Sequence, residues 1–144
     1  MKKNIYKNPI TRTFTLFAFV FASFLYVATG CYNYPVDEDG LLVTERAECY
    51  VSNFDLLGAD FYTVRTKAAE IDTVACIINV EVRYGADLKN LWPQFTLVTD
   101  AKLEPKITGL TDFSDLAHPR QYTVISGNRK VRKTYTVNVS VQNP

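Results

Sequence analysis

Alternation of apolar and polar side chains is the feature that most constrains the fold of this chain. From Val74 to Tyr84, apolar residues occupy every second position, and Asn79, Glu81 and Arg83 lie between them. The same period returns from Tyr135 to Val141. Successive side chains of a β-strand point to opposite faces, so this spacing predicts strands with one buried and one exposed face. No amphipathic helix of useful length is expected beside them.

Shorter runs of the same kind fill the rest of the chain. Further strands are predicted around Cys49 to Leu56, at Phe95 and Leu97, and at Tyr122 and Val124. A hairpin turn is predicted at 126–129, and Gly58 is expected to end the first run. Several short strands between turn signals predict an all-β fold. We expect one immunoglobulin-like β-sandwich over residues 45–144, because such domains contain about 100 residues.

The cysteines leave two alternatives open. Cys49 and Cys76 could form a disulfide, or they could be buried thiols, because free cysteine behaves as a small apolar residue. They are too close in sequence for the antibody subtype of the fold, and Trp92 follows both of them. The single histidine, His118, is followed by Pro119 and offers no metal-binding cluster. No metal and no cofactor are therefore expected.

The first 31 residues carry a targeting pattern. Four basic residues precede the apolar run Phe14 to Val27, and small residues then lead to Cys31. This run is shorter than the roughly 20 residues that a membrane-spanning helix needs. The pattern resembles a bacterial lipoprotein signal. The resemblance implies that residues 1–30 are removed, that Cys31 is lipidated, and that the acyl chains hold the protein to a membrane.

Removal of this signal changes the charge balance. It takes away four basic residues and no acidic one, and it leaves twelve Lys and Arg against fifteen Asp and Glu, a net charge of −3. An acidic chain is not expected to bind nucleic acid. Residues 31–44 are predicted to be a flexible tether, since they are polar and show no periodicity. Their acidic triplet, Asp37 to Asp39, is either a solvated linker or similar to an export signal for the outer cell surface.

The body of the chain also resembles a known family. The residues that carry the likeness run from about Ile71 to Val141, and they comprise Val80–Leu88, Leu91–Leu97, Ala101–Pro105, Asp112–Ser114, Tyr122–Val124 and Lys133–Val139. Their order is similar to that of small Ig-like domains of unknown function in Bacteroidota surface lipoproteins. These are related to the N-terminal modules of carbohydrate-metabolism lipoproteins. The resemblance implies an outer-membrane location at the cell surface, and the family supplies no catalytic residues to carry over. Asp72-Thr73-Val74 matches the Asp-Thr-aliphatic pattern of O-glycosylation in these bacteria, so Thr73 is a candidate site.

These residues bear on three classes of function. An enzyme is not expected, because His118 near Ser114 and Asp115 does not amount to a catalytic arrangement. Glycan binding is the more promising class, since sugar rings stack on aromatic side chains such as Tyr50, Tyr62 and Trp92. A protein-interaction role could use the basic turn at 129–133 or the strand Tyr135 to Val141.

The sequence thus predicts a non-enzymatic binding or scaffolding module in polysaccharide handling at the cell surface. Its partners would be the membrane and a glycan or an envelope protein. The alternative is an adhesin-like or fimbria-associated interaction module.

Overall fold

The computed structural model describes residues 35–144, and the lipoprotein signal and Cys31 lie outside this range. The described residues form seven β-strands and no helix. No helix within residues 35–144 is therefore long and apolar enough to cross a membrane. The strands are β1 Val51–Leu57, β2 Glu70–Asp72, β3 Ile77–Val82, β4 Trp92–Leu97, β5 Lys102–Glu104, β6 Arg120–Ile125 and β7 Arg132–Val141.

The strands form two sheets. The larger sheet has the order β2-β3-β7-β6-β5, and the smaller sheet pairs β1 with β4. All neighbours are antiparallel except β3 and β7, which run parallel from the pair Ile77–Thr136 to the pair Val82–Val141. The expected all-β class is therefore confirmed.

The inner faces of the two sheets share one hydrophobic core. On β3 the core residues are Ile78, Val80 and Val82, as the alternation predicts. Phe95 of β4 contacts both sheets: its ring lies 4.7 Å from that of Phe54 on β1 and 4.9 Å from that of Tyr122 on β6. Aromatic pairs at such distances add to the burial energy, so Phe95 joins the two layers.

The predicted strand Val74 to Tyr84 is shorter in the structure at both ends. The carboxylate of Asp72 accepts hydrogen bonds from the backbone N–H groups of Val74 and Ala75, which closes a turn between β2 and β3. Val74 is consequently 92% exposed, and Tyr84 lies in the turn that follows β3. Periodicity alone does not reveal this competition between a turn-forming Asp and the strand.

The strand β7 is central, not an edge. It pairs with β3 on one side and with β6 on the other. The expectation that Tyr135 to Val141 could accept a partner strand is therefore wrong, because both of its hydrogen-bonding edges are occupied.

The segment 35–44, which the sequence assigns to a flexible tether, packs against the domain. The Asp37 carboxylate accepts hydrogen bonds from Arg129 Nε at 2.9 Å and forms a 3.0 Å ion pair with Lys102 Nζ. Lys102 and Lys106 each lie 2.8 Å from Asp39. We refer to these five residues as the N-terminal clamp. The acidic triplet thus meets cations of the body, a contact between residues more than 60 positions apart that local composition cannot predict.

Candidate functional site

Exposed aromatic rings gather at one end of the small sheet. Phe61 and Tyr62 are 62% and 73% exposed, in the loop that follows β1. The ring of Phe61 lies 5.8 Å from that of the half-buried Trp92, which begins β4. We refer to Phe61, Tyr62 and Trp92 as the aromatic patch. Large exposed apolar groups in a contiguous patch are typical of binding sites.

The loop that carries this patch is held by its own hydrogen bonds. Gly58 N–H donates to Tyr62 O, and Phe61 N–H donates to Gly58 O, at 2.8 and 2.9 Å. The Asp60 carboxylate accepts from Tyr62 N–H at 3.1 Å. Phe61 has a φ of 61°, which is uncommon for a bulky residue and costs free energy. The rings are therefore presented on a pre-formed, locally strained turn.

The outer face of the small sheet continues from the patch with polar side chains. Pro93 and Phe95 face the core, so Trp92, Gln94 and Thr96 face outward by the alternation of the strand. Gln94 and Thr96 are both exposed. Asp55 lies opposite Gln94 on β1, and Asn53 lies opposite Thr96. Aromatic and hydrogen-bonding groups therefore share one surface.

An open apolar cleft of about 470 Å³ runs along β4, and Trp92 and Gln94 are among the residues that line it. The lining also includes Phe95 of β4, Leu103 of β5 and Leu41 of the segment 35–44. Both β4 and β5 are edge strands of their sheets. The cleft follows from the gap between these two sheet edges.

The structure brings together two of the three aromatics that the sequence proposes. Tyr62 and Trp92 lie at the same end of the small sheet, where Leu57 pairs with Trp92. Tyr50 precedes Val51 at the opposite end, so about 20 Å of strand separates it from the patch. Phe61 was missed in the sequence, although its position between Gly58 and Tyr62 in a turn signal could have indicated an exposed ring.

The remaining predicted positions occupy separate places. Thr73 lies in the turn between β2 and β3, next to the exposed Val74. Cys49 and Cys76 are free thiols. The thiol of Cys49 is buried and donates to Val124 O at 3.1 Å. Burial raises the pKa of this thiol, so the side chain behaves as a small core residue.

The candidate catalytic residues lie in one exposed loop before β6. His118 Nδ1 lies 2.9 Å from the Asp115 carboxylate, but its side chain is 85% exposed. Hydrogen bonds from Ser114 lower the pKa of Asp112, so this serine is engaged with a carboxylate in its own turn. Within residues 35–144, no three potential ligands are grouped so as to hold a metal ion.

Most of the cationic side chains in the basic turn 129–133 form hydrogen bonds or ion pairs within the domain. Besides Asp37, Arg129 donates to the backbone oxygens of Leu42, Asp100 and Ser126. Arg132 pairs with Glu104, and Lys133 donates to Thr73 O. These contacts leave Lys130 as the cation of the turn whose side chain has no ion pair or hydrogen bond within residues 35–144.

Comparison with known proteins gives a family and a fold. The family model described as SGBP, N-terminal, matches residues 59–139, more than half of the chain. A crystal structure of a candidate glycoside hydrolase from Bacteroides thetaiotaomicron matches 68% of the chain with 32% identity and a TM-score of 0.56. A DUF4623 family protein from Bacteroides eggerthii matches 67% of the chain with 19% identity and a TM-score of 0.50, which supports the fold alone.

These solved proteins are much longer than the region they share with this chain. The match covers 26% of the first protein and 22% of the second. No curated protein sequence matches the chain. The shared region is therefore one module of larger proteins.

Proposed function

We propose, from the premise that this chain belongs to the family of SGBP N-terminal domains, that it is a non-enzymatic module of a lipid-anchored surface protein. This family links the chain to glycan-binding proteins of Bacteroidota. The module would bind or scaffold other components during polysaccharide handling. The single observation that supports the proposal, beside family membership, is that the 126–129 turn, to which Thr44 is hydrogen-bonded, and the aromatic patch lie at opposite ends of the strands.

The strand register defines these two ends. At the clamp end, the 126–129 turn joins β6 to β7, and Thr44 N–H donates to Gly127 O. At the patch end, Leu57 pairs with Trp92, and β7 finishes with Val141 opposite Val82. The ten residues of β7 cover about 33 Å between these ends. An anchor near the clamp end would therefore hold the aromatic patch away from the membrane.

The lipid anchor itself rests on the sequence around Cys31. The chain from Cys31 to Pro35 can extend over at most about 14 Å. Since the clamp fixes the chain from Asp37 onward, the domain would stand close to the membrane with a preferred direction.

The proposed Ig-like class draws on the number of strands and the size of the domain. Seven strands in two sheets within about 100 residues agree in number and size with a constant-type immunoglobulin domain. The division into two and five strands and the parallel pair β3–β7 differ from the four-and-three antiparallel arrangement of that type. The proposed lack of catalysis draws on the exposure of His118 and on the contact between Ser114 and Asp112. A general base and nucleophile should instead lie within hydrogen-bond reach of each other.

Intact-mass analysis of the membrane fraction tests the anchored state. We expect the wild-type protein to begin at Cys31 and to carry the mass of acyl chains, and we expect Cys31→Ala to leave the membrane fraction. An unmodified Cys31 in a membrane-free protein would exclude the proposal.

A further inference from the structure

We infer that the aromatic patch and the outer face of β4 form a binding site for a neutral glycan chain. This inference rests on the proposed function, because it names the ligand class of the same module. It adds Phe61 and Gln94 to the residues indicated by the sequence, and it separates Tyr50 from the site.

The patch supplies surfaces for stacking. The face of an aromatic ring is electron-rich, and the C–H groups on one face of a sugar ring carry weak positive charge. The rings of Phe61 and Trp92 are tilted by 56° to each other, so they form an angled surface and not a closed stack. The hydrogen bonds of the 58–62 loop hold this surface in place before a ligand arrives. Such pre-organisation lowers the entropic cost of binding.

Hydrogen-bonding groups follow the aromatic rings along the same strand. Gln94 lies two residues beyond Trp92 on the outer face, about 7 Å along β4. Thr96 lies another 7 Å further. The exposed side chains of Gln94 and Asn53 make no hydrogen bond to other groups in the part of the chain that is described, residues 35–144. A row of one aromatic and two polar positions suits a linear chain of hydroxyl-rich rings.

The charges around this surface favour a neutral ligand over an acidic one. Arg65 is occupied by Asp55 at 3.2 Å and by Phe54 O. Arg83 donates to Thr63 O at 2.8 Å. Arg65 and Arg83 are thus already bound to protein oxygens, and Asp60 adds a negative charge within the loop itself. A uronate or sulfate group would have to displace these protein oxygens to pair with either arginine.

Affinity electrophoresis with soluble polysaccharides tests the inference. The neutral probes are mixed-linkage β-glucan, xyloglucan and galactomannan, and the acidic probes are polygalacturonate and heparin. We expect at least one neutral probe to retard the protein and the acidic probes to leave it unaffected. Phe61→Gly and Tyr62→Ala should each weaken retardation roughly tenfold, the effect of losing one stacking contact.

These variants should lose binding without losing the fold. Glycine accepts the positive φ of Phe61 without steric cost, so Phe61→Gly removes the ring and keeps the turn. Tyr50→Ala is the matched control, because it removes an exposed tyrosine at the other end of the sheet. Unchanged melting temperatures would establish that the variants fold.

Two outcomes would overturn the inference. One is the absence of retardation by all three neutral probes, whether or not an acidic probe retards the protein, and the other is an equal loss of binding in Tyr50→Ala. Neither outcome affects the anchored-module proposal, which is decided by the mass of the N-terminus.

Discussion

Releasing the N-terminal clamp should change the mobility of one segment and leave the sheets intact. The perturbation is the double variant Arg129→Gly, Lys102→Met. Arg129 has a φ of 61°, so glycine suits its backbone position. Methionine keeps most of the apolar stem of the partly buried Lys102. Together the two changes remove both cations that contact Asp37.

Release of the clamp changes the length of chain that can extend freely between Cys31 and the folded domain. While the clamp is closed, at most about 14 Å of extended chain separates Cys31 from Pro35. If the segment detaches as far as Thr44, which is fixed by its hydrogen bond to Gly127, the free chain can extend to about 45 Å. The release would thus triple the reach between the proposed anchor and the folded domain.

Hydrogen exchange measured by mass spectrometry reports this release directly. In the wild type, Leu41 N–H donates to the Asp37 carboxylate, and Val43 N–H donates to Pro35 O. We expect peptides from 35–44 to lose protection in the double variant, while peptides from β3, β6 and β7 keep theirs. Lys130→Met is the matched control, since it removes an exposed charge from the same turn. If exchange in 35–44 is unchanged, or if protection is lost throughout the strands, the clamp does not hold this segment in the way described.

Three further predictions address acid stability, packing and the core. Hydrogen bonds from Lys102 and from backbone N–H groups outweigh burial and hold the pKa of Asp37 far below its usual range. The stability that this carboxylate contributes should therefore be complete above about pH 3.9, the ordinary aspartate pKa, and should decline progressively in stronger acid. The amide resonance of Leu41 would report release of the clamp, and complete release near pH 4 would contradict the prediction. Gly127→Ala should lower stability by about 1–3 kcal/mol in denaturant unfolding, because the added Cβ would meet Thr44 Oγ1, and an unchanged midpoint would contradict this packing. The hydroxyl of Tyr135 is fully buried without a hydrogen-bond partner among residues 35–144, so Tyr135→Phe should match or exceed the wild-type melting temperature, and a clear decrease would indicate an unseen partner.

Strand-level features could be predicted because they depend on local periodicity. The buried face of β3 and the hairpin between β6 and β7 both follow from short sequence patterns. The end of β1 also matches the prediction from Gly58. Within β1, however, a register shift between Val51 and Asn53 allows Val51 and Phe54 to face the core three positions apart. Strict alternation cannot anticipate such a bulge.

Contacts between distant segments could not be predicted in the same way. The acidic triplet and the basic turn each look like solvated charge when taken alone, yet Asp37 and Arg129 bind one another across 92 positions. The grouping of the aromatic side chains could be predicted only in part for the same reason. Tyr62 and Trp92 could be proposed from residue type, but only strand register shows that Tyr50 lies elsewhere and that Phe61 belongs with them.

The accessibility of the patch end on intact cells tests most directly the claim that the domain is displayed at the cell surface. An epitope tag placed after Pro144 follows β7, which finishes at that end. On intact cells, the account predicts that antibody binds the tag and that added protease removes it, while a periplasmic marker stays protected. A tag that becomes accessible only after the envelope is permeabilised would place the domain inside the envelope and contradict the proposed surface role.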